Sequence, residues 1–231
     1  SLQREGGRIR LAVPTGRAEF DDIEFQLPRR TDNGFLYVFD RRETDWWREG
    51  GRWVDHGGIA CVMASSWISL IAPDSEGMLW HKRNLGRDLQ VAFTVEENTE
   101  WFGWDHKPSH THYPFDNIRV CLSADSDPDR GYRVELNAEN RTATVLYRNG
   151  KEVARARQDG GFPMRYRGGH SPYSPRKNRI SFSKRGERLE VRVNQKPVLS
   201  FTDPEPLPVR RVGIGGYRTR MNLSQIAVRR H

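Results

Sequence analysis

Residues 142–157 read TATVLYRNGKEVARAR, and this stretch decides the fold class. Two strand-like runs flank the dipeptide Asn149-Gly150. Both turn residues tolerate positive φ, so this dipeptide is the strongest hairpin signal in the chain. The stretch therefore predicts two antiparallel strands, 142–148 and 151–157, joined by a tight turn.

Similar runs extend from this hairpin in both directions. Leu89, Val91, Phe93 and Val95 alternate with polar residues, which is the period of a half-buried strand. The segment 41–52, with two tryptophans and two glycines, is interpreted as a loop. The other predicted strands are 9–13, 19–27, 35–39, 59–63, 67–72, 78–83, 88–96, 117–122, 132–137, 179–184, 188–193, 198–201, 209–214 and 223–229.

Many short strands with regular turns, and no confident amphipathic helix, predict an all-β fold. We expect a two-sheet antiparallel jelly-roll sandwich. The 231 residues show neither a fixed-period repeat nor a linker that would divide them. They are therefore interpreted as a single domain, 1–231, in which residues 1–50 fit the pattern least well.

The chain is basic, with a formal net charge of +8 and a sequence pI of about 9.8. This charge favours anionic partners, among them acidic glycans, nucleic acid and membrane surfaces. The arginines are scattered along predicted strands, however, as on a solvated sheet face. We expect no nucleic-acid partner, because there is no recognition motif and no clustered basic stripe.

The cysteines, the apolar runs and the N-terminal residues were compared with the patterns of disulfides, membrane spans and signal peptides. Cys61 and Cys121 lie in apolar runs without metal-ligand spacing, which leaves two buried thiols or one disulfide as alternatives. No apolar run reaches the ~18 residues of a membrane span. The N-terminal SLQREGGRIR has no signal-peptide core.

One aromatic stretch carries the main functional hypothesis. Residues 100–122 read EWFGWDHKPSHTHYPFDNIRVCL, and we expect a loop that feeds a strand. The rings of Trp101, Trp104 and Tyr113 suit stacking against the apolar C–H face of a sugar. An ordered plug at one end of the sandwich is the alternative.

Three imidazoles in the same stretch suggest chemistry. His110 and His112 form an H-x-H pair, and on a strand both would point to one face and could meet one divalent metal ion, Ca, Mn or Zn. His106, or a distant carboxylate such as Asp105 or Asp116, would complete the set of ligands. We therefore expect His106, His110 and His112 to be catalytic, with His110 and His112 as metal ligands.

Further substrate-binding residues are predicted around this loop. Trp80 and Lys82 share one face of a predicted strand, and His81 takes the other. If the substrate is a uronic acid, Arg119, Arg167 or Arg176 could pair its carboxylate in a bidentate fork. The second polar and aromatic segment, 162–177, contributes His170, Tyr173 and Arg176 to the list.

Three stretches carry a resemblance to a known family. They are WVDHGG at 53–58 running on to MLWHKR at 78–83, then YRNGK at 147–151, and finally NRISFSKRGERLEVRVNQKPVLSFTD at 178–203 followed by RVGIGG at 211–216. In this pattern and order they resemble concanavalin A-like, laminin-G-like jelly-roll domains, nearest to the 3-keto-disaccharide hydrolase type. Gln195 stands where that family usually has Gly.

The resemblance implies a function class rather than a reaction, because the fold hosts lectins, binding modules, hydrolases and lyases. The acidic E-x-D-x-E strand of one glycosidase group is incomplete here, since Phe20 replaces its first acid. Structural Ca²⁺ is common in the fold, and Asp21, Asp22 or Asp203 are candidate ligands.

We therefore expect a carbohydrate-active protein. The leading hypothesis is a glycoside hydrolase or lyase that acts at the Trp/His-rich loop on the concave sheet. The alternative is a non-catalytic, lectin-like carbohydrate-binding domain. The expected partner is an oligosaccharide or glycoside, either neutral or acidic, and the expected location is secreted or periplasmic.

Overall fold

A computed structural model gives the architecture. It describes residues 34–38, 45–55, 67–97, 117–157 and 177–231, together with the backbone of 2–5, 8–11 and 29–31. In chain order the strands are β1 (Leu2–Glu5), β2 (Arg8–Leu11), β3 (Arg29–Thr31), β4 (Gly34–Tyr37), β5 (Trp46–Gly50), β6 (Arg52–Asp55), β7 (Ile68–His81), β8 (Leu89–Glu97), β9 (Ile118–Ser123), β10 (Gly131–Asn137), β11 (Ala143–Arg148), β12 (Lys151–Arg157), β13 (Asn178–Arg185), β14 (Arg188–Val193), β15 (Lys196–Thr202) and β16 (Arg211–Arg230). A helical turn, α1 (Ala138–Arg141), joins β10 to β11.

Two long strands connect the layers of the fold. β7 and β16 pair antiparallel from Gly213 opposite Trp80 to Leu223 opposite Ile68. Their register shifts at Tyr217, where three residues of β7 face a single residue of β16. A bulge of this kind bends both strands, so the two halves of each strand belong to different sheets.

The first layer, called the front sheet, has the order β12-β11-β10-β9-β16-β7-β5 and uses residues 211–216 of β16. The second layer, called the back sheet, has the order β15-β14-β13-β8-β16 and uses residues 221–230 of β16. The other side of β16 pairs with β7 and then β4. β3 and β6 extend these edges, whereas β1 pairs only with β2.

The apolar core lies between the two sheets. Leu89, Val91, Phe93 and Val95 are fully buried on the inner face of β8, as their alternation predicts. The inner face of the front sheet supplies residues such as Val120 of β9. Both sheets thus have one apolar inner face, and the prediction of an all-β, two-sheet antiparallel sandwich is confirmed.

The Asn149-Gly150 hairpin is confirmed, with positive φ at both turn residues (48° and 74°). The loop predicted at 41–52 is wrong over its described part, because residues 46–50 form β5 and Arg52 begins β6. The separate strands predicted at 67–72 and 78–83 form the single strand β7. Likewise, those predicted at 209–214 and 223–229 belong to the single strand β16.

Candidate functional site

The face of the front sheet that points away from the core carries its side chains in cross-strand rows. Residues opposite one another on neighbouring strands share a face, so the register defines each row. The first row runs Trp47, Trp80, Gly213, Cys121, Arg133 and Tyr147. The second row runs Glu49, Met78, Gly215, Arg119, Glu135 and Val145.

Trp80 anchors one side of this face. Its ring lies against the backbone of Gly213, where an added Cβ would come within 2.6 Å of ring carbon Cε3. The indole Nε1 donates to Glu49 at 3.1 Å. Trp80 packs with Met78 and Cys121 and is fully buried in the described structure. Its position on this face agrees with the predicted alternation. The buried ring, however, has no exposed surface on which a ligand could stack.

Cys121 sits in the same apolar cluster beneath the polar centre of the face. It is a free, fully buried thiol in the described part of the chain. Burial raises the pKa of its thiol well above the usual range. The thiol therefore stays protonated and acts as a small apolar residue. Cys61 lies outside the described residues.

Arg119 is the centre of the polar half of the face. Its Nη1 lies 2.6 Å from Glu76 Oε2, and its Nε lies 2.9 Å from Glu135 Oε1. Burial alone would lower the pKa of Arg119, but the hydrogen bond that it donates to Glu76 and the charge of Glu135 raise it overall. The guanidinium also lies 5.7 Å from the ring centroid of Tyr217. Arg119 is therefore fixed in place and permanently charged.

Arg133 extends this network toward the hairpin. It pairs with Asp129, lies 3.4 Å from Glu135 Oε1 through its Nε, and has its guanidinium 4.5 Å from the ring centroid of Tyr147. Glu135 is only 8% exposed and is shared by Arg119 and Arg133. The result is a chain of alternating charges with an aromatic ring at each end, which we call the front network. Its members are Tyr217, Glu76, Arg119, Glu135, Arg133, Asp129 and Tyr147.

Tyr217 is the exposed element of the front network. It is 40% exposed and is the one large exposed hydrophobic residue in the described part of the chain. The bulge of β16 presents it, since the next residue, Arg218, has a positive φ of 52°. The Tyr217 N–H donates to the Asn117 carbonyl at 3.2 Å. Asn117, which directly precedes β9, therefore lies beside Tyr217 on the front sheet.

His81 points the other way, into the core, as the alternation predicts. The Arg83 N–H donates to His81 Nδ1 at 3.2 Å, so Nε2 carries the hydrogen and donates to Tyr37 Oη at 2.7 Å. Tyr37 in turn donates to Asp45 Oδ2 at 3.0 Å. Burial lowers the pKa of His81 to about 4. This imidazole is neutral at physiological pH and lies away from the front face.

Most predicted site residues lie outside the described ranges. They are Trp101, Trp104, His106, His110, His112, Tyr113, His170, Tyr173 and Arg176. Among the described predictions, the structure brings Arg119 and Trp80 onto one face, whereas Lys82 is exposed just beyond the end of β7. The predicted roles of all these residues stay predictions.

Sequence reasoning did not select Glu76, Arg133, Tyr147 or Tyr217. The alternation of Arg133 and Glu135 along one predicted strand is a signal that could have grouped these two residues. The position of Tyr217 had no such signal, because it depends on a bulge inside a strand that serves two sheets.

No group of three or more His, Cys, Asp or Glu residues suited to a metal ion occurs within the described ranges. Asp203, a candidate Ca²⁺ ligand, instead accepts hydrogen bonds from Tyr132 Oη at 2.5 Å, Arg148 Nε at 2.7 Å and the Glu205 N–H at 3.1 Å. Its carboxylate does not fit a cation site. Asp21, Asp22 and the histidine pair lie outside the described residues.

Comparisons with known proteins support the fold. The exoplasmic/lumenal domain of VIP36, in a form bound to Ca²⁺ and Man2, matches with a TM-score of 0.57 and 10% identity over 86% of this chain and 88% of that one. The carbohydrate-binding module CBM66 from Bacillus subtilis matches with a TM-score of 0.53 and 13% identity over 80% and 96%. The carbohydrate recognition domain of Emp47p matches with a TM-score of 0.53 and 12% identity over 87% and 96%.

These likenesses support the predicted concanavalin A-like jelly-roll fold. No protein-family model matches the sequence, and no curated protein matches it significantly. The finer resemblance to the 3-keto-disaccharide hydrolase type therefore stays a prediction. Within the described residues, no helix is long and apolar enough to cross a membrane.

Proposed function

We propose that this protein is a non-catalytic, lectin-like carbohydrate-binding domain whose ligand lies on the outer face of the front sheet. The observation that carries the proposal is the exposed Tyr217 ring beside the fixed Arg119, Glu76 and Glu135 groups. An aromatic ring next to held donors and acceptors is the pairing that a pyranose needs.

The chemistry follows from the two halves of a sugar. The apolar C–H face of a pyranose stacks on an aromatic ring, which Tyr217 supplies. The ring hydroxyls need donors and acceptors in fixed directions. Glu76 is 40% exposed at its side chain and retains carboxylate lone pairs beyond its bond to Arg119. The ion pairs hold these groups before the ligand arrives, which lowers the entropy cost of binding.

The front network favours a neutral sugar. Arg119 is already engaged by two carboxylates, Glu76 and Glu135, and Arg133 is engaged by Asp129 and Glu135. A uronic acid would have to compete with these partners for either guanidinium. We therefore assign neutral hydroxyl-rich oligosaccharides, rather than acidic ones, to the front face.

The relatives in fold support the same class. One is a mannose-bound lumenal domain, another is a carbohydrate-binding module and the third is a carbohydrate recognition domain. They also support an extracellular or lumenal location. The glycoside hydrolase or lyase hypothesis rests on His106, His110 and His112, which lie outside the described residues, so we rank it second. A metal ion at His110 and His112 belongs to that hypothesis.

The test is a glycan array that includes mannose oligosaccharides, followed by calorimetry on any ligand found. We expect parent protein to bind a neutral oligosaccharide and Tyr217→Ala to weaken that binding by about tenfold, through loss of ring stacking. Tyr217→Phe, which keeps the ring, is the matched control. Absence of binding to every glycan would contradict the proposal.

Mass spectrometry of the same glycan mixtures separates binding from catalysis. A domain that only binds leaves every glycan intact, with or without added Ca²⁺, Mn²⁺ or Zn²⁺. A new product that disappears in His110→Ala and His112→Ala variants would replace our proposal with the glycoside-cleaving one.

A further inference from the structure

The outer face of the back sheet is basic. β8, β13, β14, β15 and residues 221–230 of β16 alternate between core residues and outward residues. We call the outward side the basic back face. Its outward arginines are Arg179, Arg185, Arg188, Arg192 and Arg229, and all five are exposed.

The register brings these arginines close together. Arg185 of β13 lies directly opposite Arg188 of β14. In the next row, Arg229, Gln90, Ser183 and Glu190 follow one another across four strands. Neighbouring strands are about 4.8 Å apart, so these guanidinium groups cover an area a few strands wide.

The positive charge on this face is not neutralised. Glu190 binds Arg192 through two hydrogen bonds of 2.8 and 3.1 Å and lies 3.6 Å from Arg188. Arg185 and Arg229 form no ion pair with any residue that the structure describes. The other carboxylate on the outer side of β8, Glu96, is buried at the far end of the strand. The five guanidinium groups therefore share one accessible carboxylate on the strands, Glu190. A second carboxylate, Asp88, lies just before β8, where it pairs with Lys184 Nζ at 3.4 Å and accepts the Gly186 N–H at 2.9 Å.

Two titrating groups respond to this positive field. The hydrogen bond from Arg192, followed by the charges of Arg188 and Arg185, lowers the pKa of Glu190. Burial lowers the pKa of His231, the charge of Arg185 lowers it further, Asp88 opposes this shift, and Arg229 adds to it. Glu190 lies on β14 and His231 directly follows β16, so the field extends across the face.

Small residues lie between the arginines. They include Ser181 and Ser183 of β13 and Ala92 of β8. The rings of Phe93 and Phe182 point into the core, and no aromatic side chain lies on the outward side of the strands that form this face. Single-stranded nucleic acids depend on such rings for base stacking. A saccharide chain with charged substituents needs only the guanidinium forks and hydroxyl donors.

We propose that the basic back face binds an acidic polysaccharide, whose sulfate or carboxylate groups pair with Arg185, Arg188 and Arg229. Each guanidinium can hold such a group through two parallel N–H donors. The surface lies on the sheet opposite to the front network, so the proposal is independent of neutral-sugar binding. The proposal also accounts for part of the net charge of +8, because it assigns a ligand to the face on which these arginines lie.

Heparin is the probe, measured by calorimetry over a range of salt concentrations. A polyanion releases counterions for each charge that a protein neutralises, so the logarithm of the affinity falls linearly with the logarithm of salt. We expect R185Q/R229Q to weaken heparin binding by roughly tenfold and to lower the salt slope by about two. The matched control, R130Q/R157Q, removes the same charge from exposed positions near the front sheet and should keep parent affinity.

A gain-of-affinity variant completes the test. Glu190→Gln frees Arg192 and Arg188 and should tighten heparin binding severalfold. Thermal unfolding checks that all variants are folded. The proposal is overturned if parent protein does not bind heparin at physiological salt, or if the control variant loses as much affinity as R185Q/R229Q. Equal or tighter binding of duplex DNA would overturn the choice of a polysaccharide.

Discussion

The Trp80 ring lies against Gly213, its cross-strand neighbour in the front sheet. A Cβ at Gly213 would come within 2.6 Å of Cε3 and 2.8 Å of Cη2 of the ring. Trp80 is fully buried, so it has no solvent-filled space into which it could move. We expect Gly213→Ala to lower the free energy of unfolding by about 2 kcal/mol, the usual cost of overpacking. Denaturant unfolding measures this change.

The control for this prediction is a double-mutant cycle with Trp80→Leu. A smaller side chain at position 80 removes the clash, so Gly213→Ala should cost less in that background. Equal costs in both backgrounds would show that the glycine matters for its backbone freedom rather than for its contact with the ring.

The same region shows how far the fold could be predicted from sequence. Hairpins such as Asn149-Gly150 have local signals, because the turn residues themselves determine the backbone. β7 and β16 have no such signal. The shift at Tyr217 leaves Pro73 to Ser75 without partners on β16, so residues that normally end a strand occur inside one. Only the pairing of the two strands explains this continuity.

For the candidate site, individual residues could be predicted from sequence, but their partners could not. Arg119 and Trp80 could be selected because each belongs to a recognisable polar and aromatic strand pattern. Their partners come from distant strands, since Glu76 and Glu135 reach Arg119 from β7 and β10. Local sequence cannot specify which strands become neighbours, and so it could not assemble the front network.

The two carboxylates that bind Arg119 should contribute unequally to stability. Glu135 is 8% exposed and is shared by Arg119 and Arg133, whereas the Glu76 side chain is 40% exposed. Removing one partner of a buried pair leaves the other charge uncompensated, but an exposed pair is worth little. We expect Glu135→Gln to lower the free energy of unfolding by about 3 kcal/mol and Glu76→Gln by less than about 1 kcal/mol.

Chemical denaturation of the two variants at neutral pH tests this difference. Both substitutions are isosteric and remove one negative charge, so each serves as the control for the other. A loss of equal size in both would indicate that the net charge of the face, rather than the burial of Glu135, governs its stability.

His81 should make stability depend on pH. Its pKa falls from 6.5 to about 4 on folding, because burial disfavours the charged imidazole. Between these values the unfolded chain binds more protons at this site than the native protein does. The contribution of neutral, buried His81 to the free energy of unfolding is therefore fully present above pH 6.5 and is lost as the pH falls toward 4. Its full size is about 3 kcal/mol.

The measurement is urea unfolding of parent protein and His81→Gln from pH 7.5 to pH 4. The variant cannot take up this proton, so its free energy of unfolding should fall less steeply with decreasing pH. The slopes of parent and variant should differ by at most about 1.4 kcal/mol per pH unit. Its lower stability at pH 7.5, from loss of the bond to Tyr37, does not affect the comparison of slopes. Parallel curves would mean that His81 titrates in the native protein as it does in the unfolded chain.

The Tyr132 hydroxyl should be worth far more to stability than the Tyr217 hydroxyl. Tyr132 Oη donates to Asp203 Oδ2 at 2.5 Å and accepts the Leu207 N–H at 2.8 Å. Burial and the bond to Asp203 raise the pKa of Tyr132 to about 12, so the hydroxyl stays protonated and remains a donor. Tyr132→Phe would remove one hydrogen-bond donor from the buried Asp203 carboxylate. It would also remove the hydroxyl that accepts the Leu207 N–H.

We expect Tyr132→Phe to lower the free energy of unfolding by about 2 kcal/mol, the cost of unsatisfied buried polar groups. The same substitution at Tyr217, which is 40% exposed, should change it by less than about 0.5 kcal/mol, because water replaces any lost partner there. Guanidinium unfolding of both variants compares one chemical change in two environments. A small loss in Tyr132→Phe would mean that Arg148 alone satisfies Asp203, and the hydroxyl would then have no part in fixing residues 203–207 against the front sheet.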